Sequence, residues 1–184
     1  MNEIPATYRN VSLIISTVCI LFVAGCGYEN PYAGPNGDRT ISLSASMWEN
    51  QTSEFGLESV LFNSLNNWLQ KSRQIHLAST PAEADYQLSG KILSVSHPGL
   101  SYGDFDQVKE LQAMLTVEFA FKEAETGKIL WQETKNIQEE PYVIGADAVR
   151  TQGNKKDAFE KIAEDLAEEV YLRVLNFMKN SYKD

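Results

Sequence analysis

Cys26 closes an apolar run behind Val23, Ala24 and Gly25, and a thiol in that setting points to acylation. Two small side chains directly ahead of a cysteine suit a signal peptidase, and the tetrapeptide has the pattern of a bacterial lipobox. The apolar run, residues 11–24, is shorter than the ~20 residues a bilayer span requires and has the size of a signal-peptide core. Arg9 is the one basic side chain ahead of it, and Glu3 offsets its charge. These features predict a lipoprotein signal peptide over residues 1–25 that is removed, leaving Cys26 as the lipidated N-terminus. The bland alternative is an uncleaved anchor in which Cys26 is incidental. Each buried methylene contributes about 0.8 kcal/mol, so two or three acyl chains hold a protein on a membrane almost permanently. Gly27, not an aspartate, follows the cysteine, so the expected address is the periplasmic face of the cell outer membrane.

Other side chains with chemical potential are few. Cys19 leaves with the signal and Cys26 is acylated, so no thiol remains for a disulfide or redox chemistry. His76 and His97 have no partner at metal-ligand spacing, so no metal and no cofactor is expected. Adjacent Glu139 and Glu140 could serve acid–base work, but neighbours on an extended chain point to opposite faces. No G-x-S-x-G, S-x-x-K, Walker or G-x-G-x-x-G motif occurs, and the chain reads as a non-enzyme. Lys161, Glu164, Asp165, Glu168 and Glu169 share one side of a helical pattern, where a solvated face outweighs a cation site. The net charge of −9 argues against nucleic acid, which demands clustered Lys and Arg, and against broad attraction to anionic headgroups.

The elements that must position these groups form one α+β domain over residues 40–184, after a tether over residues 26–39 rich in Gly, Pro and Asn. Ile41, Leu43, Ala45 and Met47 alternate with serines and predict a strand with one hydroxyl-rich face. The stretch Glu49-Asn50-Gln51-Thr52 breaks it, and Ser53 is placed to cap a helix. Leu57, Val60, Leu61, Leu65, Trp68 and Leu69 form that helix's apolar stripe, with an end expected near Lys71 and Arg73. Ile75-His76-Leu77-Ala78 reads as a short edge strand with His76 facing solvent. In the strand over residues 86–96 the apolar parity changes between Ile92 and Leu93, which calls for a bulge.

A loop is expected over residues 97–107. The clearest strand follows over 110–122, with Leu115, Val117 and Phe119 turned toward helix residues Leu61, Leu65 and Leu166. Thr126-Gly127 makes a tight turn into a strand over 128–138. Residues 139–153 lack a period and read as a long loop. Asn154 with Asp157 resembles a capping box for a final helix carrying Ile162, Leu166, Val170, Val174 and Phe177. The predicted architecture is a two-layer sandwich: two helices on one face of a four-stranded mixed sheet, in the order β-α-β-β-β-α with an extra short edge strand allowed. The β-α-β crossover should be right-handed.

Several motifs in order carry a family resemblance. Cys26-Gly27-Tyr28, then Gly34 and Arg39-Thr40-Ile41, begin it. Glu49-Asn50-Gln51-Thr52, Ala84-Asp85-Tyr86-Gln87-Leu88-Ser89-Gly90, Gly127-Lys128-Ile129-Leu130-Trp131 and the terminal Ala-rich helix continue it. In this order and spacing the chain resembles the outer-membrane LPS-assembly lipoproteins known as LptE. The resemblance implies a plug that sits inside the β-barrel of the LPS translocon protein LptD, helps it fold and takes part in LPS transport by binding LPS. Lipid A carries phosphates, for which basic loop residues are the natural contacts. The 97–107 loop offers Asp104 and Asp106 instead, which leaves Arg150, Lys155 and Lys156 as the possible phosphate contacts. The last two are expected at a helix N-terminus, and a solvated lysine pair is the bland reading. Two other classes stay open: a structural lipoprotein of another envelope complex, and a periplasmic carrier of a small ligand or lipid with a pocket between helices and sheet.

Overall fold

The computed structural model describes residues 40–103 and 107–181, except for the side chains of Lys135 and Asn136. The expected signal peptide over 1–25, the expected acylation site Cys26, the expected tether over 26–39, and Asp104 and Asp106 lie outside the described residues. Alternation of apolar and hydroxyl side chains makes β1 (Ile41–Ala45), which buries Ile41 and Leu43. Trp48 then turns into the core, and β2 (Glu49–Asn50) pairs with the middle of a later strand. Helix α1 (Leu57–Leu69) buries the stripe Leu57, Leu61, Leu65, Trp68 and Leu69. A short β3 (Ile75–Leu77) and a 3-10 turn (Pro81–Glu83) lead into β4 (Tyr86–Ser96), β5 (Gly99–Tyr102), β6 (Val108–Glu123) and β7 (Ile129–Val143). Helix α2 (Ala148–Ser181) ends the described chain.

Among the described residues the strands form one mixed sheet of seven. β1 lies parallel between β3 and β4, with Leu43 opposite Leu77 on one side and Tyr86 on the other. β6 runs antiparallel to β4 from Tyr86–Glu123 to Ser96–Met114, and β5 takes over the same edge at Gly99–Leu111. On its other edge β6 pairs with β7 from Glu110–Val143 to Lys122–Ile129. Both helices contribute to one core with the sheet. It holds Leu115, Val117 and Phe119 together with Leu61, Leu65 and Leu166, all essentially without solvent contact. Fully burying a side chain of this kind contributes about 1.5–3 kcal/mol.

The expected α+β sandwich is present, with two helices on a mixed sheet, but the sheet has seven strands instead of four. The additional strands come from segments too short or too irregular to show a period. β2 has two residues and β5 four, and both form because β4 and β6 present unpaired edges to them. Within the expected loop over 97–107, residues 99–102 therefore form a strand just past Pro98, whose carbonyl accepts from Gln112 N at 2.9 Å. The expected long loop over 139–153 is likewise mostly regular. β7 runs on to Val143, with Pro141 tolerated because β7 is an edge strand, and α2 starts at Ala148.

Two helix starts also differ from expectation. Ser53 does not cap α1. The chain enters it through Gly56, whose φ of 87° is a left-handed conformation suited to glycine. Asn154 lies inside α2, where its side-chain amide donates to Val143 O at 2.9 Å. Asp147 makes the start instead, its carboxylate accepting from Arg150 N at 2.8 Å. At the end of α1 the last turn holds no basic residue; the ammonium of Lys71 lies 3.3 Å above the Trp68 ring. The bulge in β4 falls where the parity change requires it. The register shifts between Ile92 and Ser94, so Ile92 and Val95 both reach the core.

Candidate functional site

The sheet leaves one face uncovered by the helices. Strand pairing places Ser89, Lys91, Glu118, Ala120, Lys122 and Gln132 on it, since their sequence neighbours Leu88, Ile92, Val117, Phe119 and Phe121 are buried on the helix side. With Met47, Glu49 and Ile129 these residues line a shallow open depression. Its character is hydroxyl, amide and mixed charge: Lys91 lies 3.7 Å from Glu49 across the β2–β4 pair. Such a face is wet, and isolated apolar side chains on it, such as Met47 and Ile129, interrupt it without joining into a sheet-wide apolar surface.

Alternation separates the two adjacent glutamates as strand geometry requires. Glu139 accepts from Gln112 Nε2 at 2.7 Å on the open face. Glu140 faces α2, where Lys161 lies 3.8 Å away. Elsewhere on β7, Glu133 binds Arg173 of α2 at 2.8 Å, Glu169 one helical turn away binds the same guanidinium at 2.8 Å, and Gln138 donates to Glu169 at 3.0 Å. Part of the acidic pattern read on α2 is thus occupied in fastening the helix to the sheet edge.

The basic candidates fall into two kinds. Arg150 sits exposed in the first turn of α2, with no ion pair among the described residues. Lys155 and Lys156 lie well inside the helix and not at its N-terminus. Lys156 is exposed and 3.3 Å from Glu160 one turn on. Lys155 is largely buried, its ammonium donating to both carboxylate oxygens of Glu54 at 2.9 Å. Binding a phosphate through Lys155 would require breaking that contact. The structure therefore does not bring the three together as one anion site.

Lys155 instead belongs to a cluster that the sequence does not reveal. Glu54 Oε1 lies 3.5 Å from His97 Nε2, an electrostatic contact longer than a formed hydrogen bond. His97 Nδ1 is 3.1 Å from the Tyr142 hydroxyl, and its ring meets Tyr142 and Phe159 edge to face. Desolvation pushes the Glu54 carboxyl up, but the hydrogen bond and charge of Lys155, with the neighbouring His97 ring, outweigh it and hold the group below the usual carboxylate range. Burial, with the Glu54 charge, pushes the Tyr142 phenol up. The side-chain partners of the Glu54 carboxylate are His97 and Lys155, the latter 101 positions away, and Tyr142 joins through His97, 45 positions from it, so no local spacing could have announced the cluster. Its evident role is to tie the segment before α1 to β4, β7 and α2. His76, by contrast, is exposed on β3.

Among the described residues no group of three or more His, Cys, Asp or Glu side chains is arranged to hold a metal. None of the helices described is long and apolar enough to cross a membrane.

A family model described as LptE, lipopolysaccharide-assembly, matches residues 41–174. Among solved structures, uncharacterized lipoprotein B from Nitrosomonas europaea is 10% identical, with 85% of this chain and 96% of that one covered at a TM-score of 0.55. A protein from Xanthomonas campestris is 12% identical, with 82% and 94% covered at a TM-score of 0.55. At such identities the likeness shows the fold alone. No curated protein sequence matches the chain.

Proposed function

The chain belongs to the LptE lipopolysaccharide-assembly family, and on that premise we propose that it is the lipid-anchored, non-catalytic plug of an LPS-exporting outer-membrane barrel of the LptD type. In this reading residues 1–25 are a signal peptide and Cys26 carries the acyl chains. Residues 26–39 then tether the domain to the periplasmic face of the outer membrane. The domain fills the lumen, supports assembly of the barrel and contacts LPS as it passes. The observation that carries the reading is the uncovered sheet face, whose hydroxyl, amide and mixed-charge side chains match the wet, polar interior of a large barrel. Arg150 and Lys156 are the proposed phosphate contacts; Lys155 serves there only if it releases Glu54.

Depletion of the protein in cells tests this directly. Surface LPS and the amount of folded barrel should fall together. If both stayed unchanged, the reading would give way to a structural lipoprotein of another envelope complex.

A further inference from the structure

Phe55 is 95% exposed, yet the segment that carries it is tightly held. Asn50 Nδ2 donates to Glu54 O at 2.9 Å and to Glu58 Oε2 at 2.7 Å. Asn50 Oδ1 accepts from the Thr52 amide at 2.9 Å and the Thr52 hydroxyl at 2.8 Å, and that hydroxyl accepts from Glu54 N at 3.2 Å. On one side of Phe55, Glu54 is clamped by Lys155; on the other, Gly56 turns the chain into α1. The ring therefore stands on a polar strap fixed at both ends, with almost none of its own apolar surface covered.

We propose that Phe55 is a preformed aromatic anchor that inserts into an apolar socket on the barrel partner. This rests on the plug reading above and names a contact within it. Three observations favour a protein socket. An aromatic side chain on a backbone held in place before binding has only its own rotamers left to order on docking, which lowers the cost of using it as an interface anchor. The strap beside it presents Glu58, which among the described residues has no ion-pair partner, and the whole chain carries a net charge of −9. An anionic headgroup layer would repel such a surface, whereas a socket with a basic rim would complement it. The N-terminal chain enters at the far end of the sheet: Leu43 pairs with Tyr86 at the start of β4, while the strap pairs with Ile92 and reaches His97 beyond the end of β4. At ~3.3 Å per residue the two ends of β4 lie about 35 Å apart, so the strap stands at the other end of the sheet from the start of the described chain.

The experiment uses the full-length lipidated chain, tagged at its C-terminus and recovered in detergent with its barrel. Phe55→Ala and Phe55→Asp should reduce the barrel recovered by tenfold or more, while Phe55→Trp retains most of it. Melting temperature and expression should match the original chain in all three, because the ring makes no core contact. Equal recovery of barrel by Phe55→Ala overturns the proposal and leaves the plug reading intact. If the unsubstituted chain recovers no barrel, the plug reading fails and this one with it. Two further results also overturn it: a dimer of the original chain that Phe55→Ala dissociates, and binding to phosphatidylglycerol vesicles that depends on Phe55 while barrel recovery does not.

Discussion

Glu54 and Lys155 join residues 101 positions apart through two hydrogen bonds of 2.9 Å in a half-buried setting, which makes their contact sensitive to protonation. The Glu54 carboxyl is held below its ordinary range of about 4.3. Its contribution to stability is therefore fully present above that range and is lost as pH falls through the lower folded value. Lys155→Met removes the ammonium and leaves a desolvated carboxylate. Urea unfolding of the detergent-solubilised protein at pH 7 should show a loss of about 1.5–3 kcal/mol, the size of a hydrogen bond to a charged group. The difference between the two proteins should shrink as pH falls through the lowered folded value, where Glu54 takes up its proton in the original chain as well. A difference that stayed constant with pH would mean that the lysine acts through packing alone.

At the scale of elements, two glycines make opposite demands. A Cβ on Gly90 of β4 would lie 2.5 Å from the Trp48 ring and 2.9 Å from Glu118 O. Trp48 is itself buried and stacked on Phe119 at 5.5 Å between ring centroids. Gly90→Ala should therefore destabilise the fold by about 1–3 kcal/mol, the range for overpacking, and shift the tryptophan emission as the ring is displaced. Gly153 lies in α2 with open space around its Cβ position. Gly153→Ala should stabilise by about 1 kcal/mol, the difference in helix propensity, seen as a higher melting temperature. Loss of stability at this position would show that residues 148–153 are not helical in solution. β7 meets the same logic as an edge strand. It holds its pairing to β6 while its inward carboxylates fasten it to α2, so the helix protects a strand that hydrophobic burial alone would hold less well.

For the whole molecule, the proposed acylation of Cys26 would govern where the domain acts. Cys26→Ser should abolish incorporation of a palmitate analogue and leave an unprocessed precursor. Normal labelling in that variant would remove the anchor from the account and with it the orientation of the domain at the outer membrane. In the proposed role of a barrel plug the domain would spread its contact over a large surface, where most positions contribute little individually. Single substitutions on the open sheet face, such as Ser89→Ala, are accordingly expected to leave barrel recovery within about twofold, in contrast to the aromatic anchor.

What the sequence determined by itself were the features encoded in short-range periodicity. The alternation Leu115, Val117, Phe119 and the stripe Leu61, Leu65 specify which faces turn inward, because a strand repeats every two residues and a helix every 3.6, and those side chains are buried as the pattern demands. The parity change after Ile92 likewise required a bulge, and the ordered motifs from Arg39 to Trp131 carried the family. Only the tertiary structure decided the rest. β2 and β5 exist because neighbouring edges offer hydrogen-bond partners, which no two- or four-residue segment announces. Gly153 and Asn154 read as a boundary, yet a helix capped earlier by Asp147 passes through them, since the cap and the bond from the Asn154 amide to Val143 O hold its first turns. Lys155 read as a free cation at a helix start, and the fold instead brings Glu54 to it from across the chain. Long-range pairing of charges depends on where the backbone returns in space, and that is a property of the folded sheet rather than of residue spacing.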